Sequence, residues 1–543
     1  MTEEDEKYVF YGGSTEESVE SDCRSLGELI IKRLRGNGDD VVFTDAVTGD
    51  SYTYSDILEQ SVRLANRFHR IGIKKNNVVA IMSENGIEHA IVSFAAIYMG
   101  AIPLLLNPAY TATELEHILK LSSPKAIFVS TTAIQTLQTM STKIPSIKMI
   151  ILIGSKDRPN QRVTLFKELF DRNKLKNAKF FTPQPVNLKD QVALMVLSSG
   201  TTGLPKAVQL THYNLMAVLA YIRENLKYIQ LPLTSRGLAI LPFFHIYGYM
   251  LLLSAFCNKQ EIVNLPKFEP KLFLSTIQKY KITGVGLAPP LMVFLAKHPM
   301  VDQYDLTSLI MIGCGAAPLS KEIEEMVLKR LPNLQIIRTG YGLSETTLGV
   351  LTRMTGKNGS VGRVNRMCWV KVTDVATGKT LGPNQVGEIC VKGPMVMKGY
   401  LNNEKETRSV IDADGWLHTG DTGYFDEDED FFIVDRIKDL IKYKGFQVPP
   451  AEVEAVLLLN EGIKDTAVIG IPDEVSGELP LAFVVLQPGV KLTEEEIKTW
   501  VANRLSKAKH LHGGVRFVAD IPKTASGKIL RRELRAMARK SKL

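Results

Sequence analysis

The feature that most constrains the fold is an alternation of short apolar segments with amphipathic segments over the first four hundred residues. The apolar segments lie at residues 78–82, 102–106, 126–129 and 149–153. Each has the length of a single buried strand, and the segments at 54–71 and 111–121 repeat apolar residues with the period of a helix. Continuous apolar strands alternating with helices are typical of parallel sheets covered on both faces. The sequence therefore predicts an α/β fold.

The pattern changes twice further along the chain. After residue 387 short strands and turns follow one another up to residue 436, and from residue 440 a smaller α+β pattern begins. The chain has 543 residues, more than one domain usually holds. We therefore predict a large N-terminal domain at 1–436, built of parallel-sheet αβ subdomains and a β-rich subdomain. A hinge at 437–439 then joins it to a small, mobile α+β domain at 440–543.

Charge is concentrated at the C-terminal end. The net formal charge is +8, and residues 504–543 alone hold twelve Lys or Arg against two acidic residues, a local net charge of +10. Such a segment is typical of proteins that bind nucleic acid, an anionic membrane or an anionic small substrate, and composition alone does not choose among these. The segment carries few aromatic residues to stack on bases, so we expect no nucleic acid. The five cysteines form no CxxC pair, which argues against a disulfide framework or a zinc site. The apolar stretch at 90–106 is short and is broken by glycine and proline, so we expect a buried helix and strand and no transmembrane span.

One loop has the composition of a phosphate cradle. It follows the apolar strand at 193–197 and consists of Ser198, Ser199, Gly200, Thr201, Thr202, Gly203, Leu204, Pro205 and Lys206. Glycines let backbone N–H groups approach phosphate oxygens, hydroxyls donate hydrogen bonds, and the lysine supplies positive charge. The spacing is not that of a Walker A loop.

This loop and six further motifs resemble those of the adenylate-forming superfamily, which contains acyl-CoA synthetases, 4-coumarate–CoA ligases and beetle luciferases. In the family's order the six motifs are LPFFHIYGYM at 241–250, GCGAAPL at 313–319, GYGLSETT at 340–347, GWLHTGD at 415–421, DRIKDLIKYKG at 435–445 and PKTASGK at 522–528. The resemblance is closest to insect luciferase-like fatty acyl-CoA synthetases. It departs from the family at Ala207 and Ala316, where glycine is usual, and we expect Ala316 to narrow one pocket wall.

The resemblance implies a site for ATP and Mg²⁺. Tyr341 would stack on the adenine, Asp421 would accept both ribose hydroxyls with help from Arg436, and Glu345 would bind the metal. The full set of implied nucleotide-binding residues is Ser198, Ser199, Gly200, Thr201, Thr202, Gly203, Lys206, Gly315, Ala316, Gly340, Tyr341, Gly342, Ser344, Asp421 and Arg436.

The same resemblance implies the catalytic groups and the acyl pocket. Lys528 would bridge the attacking carboxylate and the α-phosphate, and Lys442 would replace it in the thioester-forming state as the small domain turns about Lys438 and Asp439. His245 would line the carboxylate site beside the α-phosphate. The implied acyl-pocket residues are His245, Tyr247, Gly315, Ala316 and Leu348.

These features predict an ATP-dependent acyl-CoA synthetase that acts on a fatty or arylalkenoic acid, with coenzyme A as co-substrate. A luciferase-type monooxygenase is the first alternative, although the apolar Leu348 favours the ligase. A non-catalytic nucleotide- or acyl-binding protein is the second, and the presence of the predicted catalytic lysines argues against it. The C-terminal tripeptide Ser541, Lys542 and Leu543 is typical of a peroxisomal address, so we expect an import receptor as partner and the peroxisome as location.

Overall fold

The computed structural model describes residues 7–15, 19, 23–140, 144–170, 178–198, 205–227, 235–354, 356–524 and 527–540. In these residues a large N-terminal part of three sheets with flanking helices precedes a smaller C-terminal part with its own sheet. The fold is therefore a mixed α/β architecture, which confirms the predicted fold class.

The first large sheet has eight strands within the described ranges. In spatial order they are Gly399–Tyr400, Lys206–Thr211, Val192–Ser198, Ile102–Leu106, Val78–Met82, Ala126–Ser130, Met149–Ile153 and Val163–Leu165. The four predicted apolar segments lie side by side in this sheet and pair in parallel. Almost every side chain of these four strands is buried, which explains why their sequences are apolar at every position or nearly so.

The second large sheet supplies the floor of the cavity described below. Its nine strands, counted over the described residues, are Arg363–Val364, Gly349–Thr352, Ile336–Gly342, Met311–Cys314, Gly284–Leu287, Arg236–Ala239, Glu261–Asn264, Val41–Asp45 and Ser51–Thr53. The six strands from Ile336–Gly342 to Val41–Asp45 are parallel. Their carboxyl ends therefore meet at one edge, where open α/β sheets usually bind ligands.

Helices cover these two sheets. They are Leu26–Asn37, Tyr54–Arg70, Ile87–Tyr98, Ala112–Ser122, Ile134–Gln138, His212–Lys227, Ile246–Cys257, Pro270–Tyr280, Pro289–Lys297 and Lys321–Arg330. The predicted helices at 54–71 and 111–121 are confirmed, and both begin at capping boxes formed by Thr53 with Asp56 and Thr111 with Glu114. The apolar stretch at 90–106 is the buried helix Ile87–Tyr98 followed by a buried strand. Among the helices of the described residues, none has both the length and the apolar character that crossing a membrane requires.

A third, wholly antiparallel sheet follows as the β-rich subdomain. Its strands are Phe10–Tyr11, Trp369–Thr373, Gly387–Lys392, Leu417–Phe425 and Phe431–Arg436. A short helix, Glu404–Val410, lies before its fourth strand. Phe425 and Phe431 are fully buried and pack against each other, which anchors the last hairpin of this sheet.

The C-terminal part is built around a separate sheet. Its strands in the described segments are Ile441–Tyr443, Phe446–Val448, Ile463–Asp473, Gly477–Leu486 and Val515–Phe517, and its helices are Pro450–Leu458, Glu494–Ala502 and Arg531–Lys540. The first two helices bury one face of the sheet and the third buries the other. This part thus has hydrophobic clusters of its own on both faces of one sheet. The boundary at 437–439 stays a prediction.

Candidate active site

A cavity of about 1460 Å³ lies at the carboxyl edge of the second large sheet, and residues of every part of the fold line it. Most of the residues predicted from the motifs meet there. The predicted residues that line the cavity are Ser198, Lys206, His245, Tyr247, Gly315, Ala316, Gly340, Tyr341, Gly342, Ser344, Glu345, Leu348, Asp421, Arg436, Lys438, Asp439 and Lys528. The seven motifs, which are spread over residues 198–528 of the sequence, therefore converge on one space.

Asp421 is held at the cavity wall by a tyrosine and an arginine. It is the register partner of Arg436 on the last hairpin of the β-rich subdomain. The Tyr341 hydroxyl donates to Asp421 Oδ2 at 2.8 Å, and Arg436 Nε lies 3.4 Å from Oδ1. Burial raises the pKa of Asp421, while the charge of Arg436 and the tyrosine hydrogen bond oppose that rise. The group is an oriented carboxylate beside an aromatic ring.

Glu345 and Lys206 are joined by a residue that the sequence did not single out. The Tyr400 hydroxyl donates to Glu345 Oε1 at 2.9 Å, and Lys206 Nζ lies 5.0 Å from the centre of the Tyr400 ring. Lys206 also forms an ion pair with Glu406. Tyr400 thus fixes the Glu345 carboxylate, and Glu406 provides a counter-charge for the lysine of the loop.

Lys528 reaches the cavity from the C-terminal part. Its backbone N–H donates to Thr524 Oγ1 at 3.1 Å, which closes the loop that carries it. Burial, together with the nearby charge of Arg436, lowers the pKa of Lys528 to about 7. Burial, helped by the charge of Lys528, also lowers the pKa of His245 to about 4, so the imidazole is neutral near pH 7. Near pH 7 Lys528 is therefore about half protonated, and it lines the same cavity as the neutral His245.

The wall beside His245 is the start of helix Ile246–Cys257. His245 is the N-cap, and its Nδ1 accepts from the backbone N–H of Tyr247 at 3.3 Å. Because Nδ1 accepts this hydrogen bond, the neutral ring carries its proton on Nε2. The same turn directs the Tyr247 ring across the sheet strands.

Opposite Tyr247 the sheet carries glycines instead of side chains, and we call Gly286, Gly313 and Gly315 the glycine floor. A Cβ atom on Gly286 would lie 2.6 Å from Leu251 Cδ1, and one on Gly313 would lie 3.4 Å from the Tyr247 hydroxyl oxygen. The glycine floor thus lets the Tyr247 and Leu251 side chains of helix Ile246–Cys257 lie directly against the sheet.

Ala316 follows the glycine floor with a φ of +73°, in the left-handed region that alanine adopts at a cost. The departure from glycine therefore adds backbone strain to the narrowing that the sequence predicts.

The motif at 340–347 brings its backbone close to the strand that follows. A Cβ atom on Gly342 would overlap the carbonyl oxygen of Leu348. Only glycine fits here, and this close approach sets Ser344 and Leu348 at the cavity.

Lys442 does not line the cavity. It lies exposed on strand Ile441–Tyr443, and its backbone N–H donates to Glu478 Oε2 at 2.9 Å. The predicted hinge residues Lys438 and Asp439 line the cavity, Asp439 Oδ1 is 3.1 Å from Arg535 Nη2, and burial lowers the pKa of Lys438. The predicted Ser199, Gly200, Thr201, Thr202 and Gly203, and the tail Ser541, Lys542 and Leu543, lie outside the described residues.

Helix Pro289–Lys297 contacts the C-terminal part at both of its ends. At its start a Cβ atom on Gly527, next to Lys528, would lie 3.2 Å from Ala288 Cβ. At its end Lys297 Nζ donates to the carbonyl oxygens of Leu458, Asn460 and Ile463, the last two at 3.3 and 3.5 Å. These carbonyls lie at the C-terminal end of helix Pro450–Leu458 and just beyond it, where cations are favoured.

Comparison with known proteins agrees with this arrangement. The sequence pattern of the family described as AMP-binding enzyme matches residues 31–401, and that of the AMP-binding enzyme C-terminal domain matches residues 452–528. The chain is similar to a luciferin 4-monooxygenase of Nipponoluciola cruciata, with 43% identity over 92% of both chains. It is also similar to 4-coumarate–CoA ligase 3 of Arabidopsis thaliana, with 40% identity over 90% of this chain and 87% of the relative.

Two solved structures have a similar fold. A red-emitting luciferase from Phrixothrix hirtus superposes with a TM-score of 0.71 and 36% identity over 99% of both chains. The anthranilate–CoA ligase AuaEII in complex with anthranoyl-AMP superposes with a TM-score of 0.86 over 97% of this chain and 100% of that chain. Its identity of 21% shows a shared fold only.

Proposed function

The chain belongs to the family of AMP-binding enzymes, and from this premise we propose that it is an ATP-dependent acyl-CoA synthetase. A carboxylic acid and ATP would form an acyl adenylate and pyrophosphate, and coenzyme A would then form the thioester and release AMP. The relatives named as 4-coumarate–CoA ligases support the thiol-ligase class. A fatty or arylalkenoic acid is our proposed substrate, in keeping with the apolar walls around Leu251 and Leu348.

The observation that carries the proposal is the position of Lys528. It belongs to the C-terminal part, yet it lines the same cavity as Tyr341, Asp421 and His245. A cation at this place can stabilise charge that grows on the oxygens of an attacking carboxylate and of an α-phosphate. A protein that only bound nucleotide would have no need of it.

The adenylation step follows from these contacts. The acid is ionised near neutral pH, so its oxygen attacks the α-phosphorus without a general base, and pyrophosphate leaves with the electron pair of the broken P–O bond. Asp421 would accept the ribose hydroxyls and Tyr341 would pack against the adenine. Neutral His245 would line the acid's path without adding a charge that competes with Lys528.

Glu345 fits a magnesium ion that accompanies the nucleotide. Its carboxylate lines the cavity with one oxygen held by Tyr400, and Mg²⁺ in such sites is bound by one or two carboxylates and substrate phosphates. The ion would neutralise charge on the phosphates, and Tyr400 would keep the carboxylate turned toward them.

Thioester formation would use a second orientation of the C-terminal part. The thiol attacks the carbonyl carbon of the adenylate, AMP leaves, and the thiol proton passes to solvent. Lys442, exposed in the orientation seen here, would then face the cavity after rotation about Lys438 and Asp439, as Lys528 withdraws.

Pyrophosphate exchange into ATP tests the proposal. The exchange should depend on an added acid, and a panel of fatty and arylalkenoic acids should identify the preferred one. Lys528→Ala should reduce the exchange by about 10²–10³-fold, because it removes a transition-state contact. Lys281→Ala is the matched control, since Lys281 only pairs with Asp305 on the surface. Full exchange by Lys528→Ala would refute the mechanism, and ATP binding without exchange for any acid would favour a binding protein.

A luciferase-type monooxygenase is the second candidate, and its support is the identity of 43% to a luciferin 4-monooxygenase. Such an enzyme would oxidise a luciferyl adenylate with O₂ and emit light. Mixing the protein with ATP, Mg²⁺ and luciferin separates the two functions. Strong light would replace the ligase proposal, whereas acid-dependent thioester formation in darkness would support it.

We also propose delivery to the peroxisome through Ser541, Lys542 and Leu543. A free C-terminal SKL tripeptide is a peroxisomal targeting signal that an import receptor recognises. A fluorescent protein fused to the N-terminus of the full chain should collect in peroxisomes, and removal of the three residues should leave it diffuse. Unchanged localisation after the removal would rule out this address.

A further inference from the structure

Three side chains with metal-binding atoms meet on two neighbouring strands of the β-rich subdomain. Glu388 and Cys390 lie two residues apart on strand Gly387–Lys392, and His418 is the register partner of Cys390 on the next strand. One ligand atom from each lies within 4.8 Å of the other two. Strands hold such atoms more rigidly than loops do.

The spacing of these atoms is close to that of a tetrahedral zinc site. Cys390 Sγ lies 3.5 Å from His418 Nδ1, and His418 Nδ1 lies 2.9 Å from Glu388 Oε2. Ideal zinc–ligand lengths place sulfur and nitrogen about 3.6 Å apart and nitrogen and oxygen about 3.3 Å apart. Of these two pairs, the sulfur and the imidazole already fit, and the imidazole and the carboxylate would have to separate by a few tenths of an ångström.

Each potential ligand is already oriented by another group. Asp412 Oδ2 lies 3.5 Å from the second ring nitrogen of His418, on the side from which a carboxylate can orient a metal-binding histidine. The backbone N–H of Gly420 donates to Glu388 Oε1 at 3.0 Å, which leaves Oε2 for another partner. The Thr373 hydroxyl lies 3.4 Å from Cys390 Sγ.

We propose that Glu388, Cys390 and His418 form a binding site for Zn²⁺, contrary to the expectation drawn from the cysteine spacing, because here a single cysteine is joined by ligands from a neighbouring strand. Thiolate, imidazole and carboxylate suit this borderline-soft ion, whereas magnesium prefers oxygen ligands alone. Binding would release the thiol proton of Cys390 and the proton that His418 shares with Glu388 to solvent. Glu388 and His418 line the cavity, so water can occupy the fourth position.

The site lies beside the predicted nucleotide pocket but does not depend on the proposed function. Gly420, which holds Glu388, precedes Asp421 in the same strand. The residues that would bind Zn²⁺ are different from those assigned to ATP or Mg²⁺. A failure of ligase activity would therefore leave this proposal standing, and the reverse also holds.

Zinc titration of the full-length protein, first stripped with a chelator, tests the site. We expect one tightly bound Zn²⁺ per chain in competition with a chromophoric chelator. Cys390→Ser should weaken the affinity by at least about tenfold. Cys368→Ser is the matched control, because Cys368 is also a buried cysteine of this subdomain and lies outside the cluster. Cobalt(II) should give a thiolate charge-transfer band with the wild type and with Cys368→Ser, but not with Cys390→Ser.

A milder variant covers the case in which Cys390→Ser does not fold. Asp412→Asn replaces the carboxylate oxygen beside His418 with an amide and keeps an Oδ1 for the backbone N–H groups of Asp414 and Trp416, and we expect it to weaken zinc binding by about 10–100-fold. A wild-type chain that loses every competition with the chelator would overturn the proposal. So would equal zinc affinity in the wild type, Cys390→Ser and Asp412→Asn.

Discussion

Lys528 shows at the scale of a single residue how the fold changes the chemistry of a side chain. Burial and the charge of Arg436 lower its pKa to about 7, against about 10.4 for a lysine in water. The folded protein therefore binds fewer protons than the unfolded chain between these values, and this group's contribution to stability rises as the pH rises through that window. An anionic nucleotide beside the amine would favour its charged form again.

The lowered pKa predicts that Lys528 is an unusually reactive amine in the nucleotide-free protein. Acetylation with a low concentration of acetic anhydride, followed by peptide mass spectrometry, should show labelling of Lys528 that increases with pH around a midpoint of about 7. ATP should protect it, by contact and by raising its pKa. Labelling of Lys528 that rises only above pH 9 would contradict the proposed burial.

Gly342 gives a second prediction at this scale. Because a Cβ atom there would overlap the Leu348 carbonyl oxygen, Gly342→Ala should displace the motif that carries Glu345 and destabilise the fold by about 2 kcal/mol or more. Denaturant unfolding measures the loss. Gly36→Ala is the control, since Gly36 is helical with open space around it, and alanine should be neutral or stabilising by up to about 1 kcal/mol. Equal stability of both variants would refute the steric argument.

The sequence predicted single site residues only where a motif marked them. Asp421, Glu345 and Lys528 belong to distinctive strings, and all three line the cavity. Two residues were not predicted from the sequence: Tyr400, which donates a hydrogen bond to Glu345, and Glu406, which pairs with Lys206. Their partners lie 55 and 200 residues away in sequence, and no local pattern marks such a pairing.

At the scale of elements, helix Pro289–Lys297 supports the C-terminal part in the orientation seen here. Its start packs against Gly527, next to Lys528, and its end places Lys297 on the carbonyls at the C-terminal end of helix Pro450–Leu458 and just beyond it. The sequence predicted helices and strands from their periodicity, as for Tyr54–Arg70 and Val78–Met82. It could not predict this contact, because a lysine that ends a helix is common and its acceptors lie more than 160 residues away.

Lys297→Met should therefore destabilise the orientation of the C-terminal part that places Lys528 in the cavity, relative to the orientation proposed for thioester formation. A hydrogen bond from a charged donor contributes about 1.5–3 kcal/mol, so we expect acid-dependent pyrophosphate exchange to fall about tenfold. Thioester formation from supplied acyl adenylate should be unchanged or faster. Lys281→Met, which removes an exposed ion pair in the same domain, should leave both rates unchanged. Equal losses in both half-reactions would show that Lys297 acts on general stability instead.

At the scale of the whole molecule, the two predicted catalytic lysines cannot act at the same time. Lys528 lines the cavity while Lys442 is exposed to solvent on strand Ile441–Tyr443. Both belong to one small domain with its own core, so a rotation that brings one in carries the other out.

Because the two lysines act in different orientations, we expect their alanine variants to lose different half-reactions. Lys442→Ala should retain acid-dependent pyrophosphate exchange but form thioester from supplied acyl adenylate about 10²-fold more slowly. Lys528→Ala should lose the exchange and keep the thioester step. Rapid-quench assays of each half-reaction separate them. Loss of both half-reactions in both variants would mean that a single orientation serves the whole reaction.

The glycine floor has a consequence for how the substrate range can change over evolution. Glycine is the smallest residue, so a substitution at Gly286, Gly313 or Gly315 can only subtract room from the cavity. A Cβ atom on Gly286 would already approach Leu251 to 2.6 Å. Mutation at these three positions can therefore narrow the range of substrates that the cavity accepts, and it cannot widen that range. To accept a bulkier acid, the protein would need smaller side chains on the opposite wall, where helix Ile246–Cys257 carries large residues such as Tyr247 and Leu251.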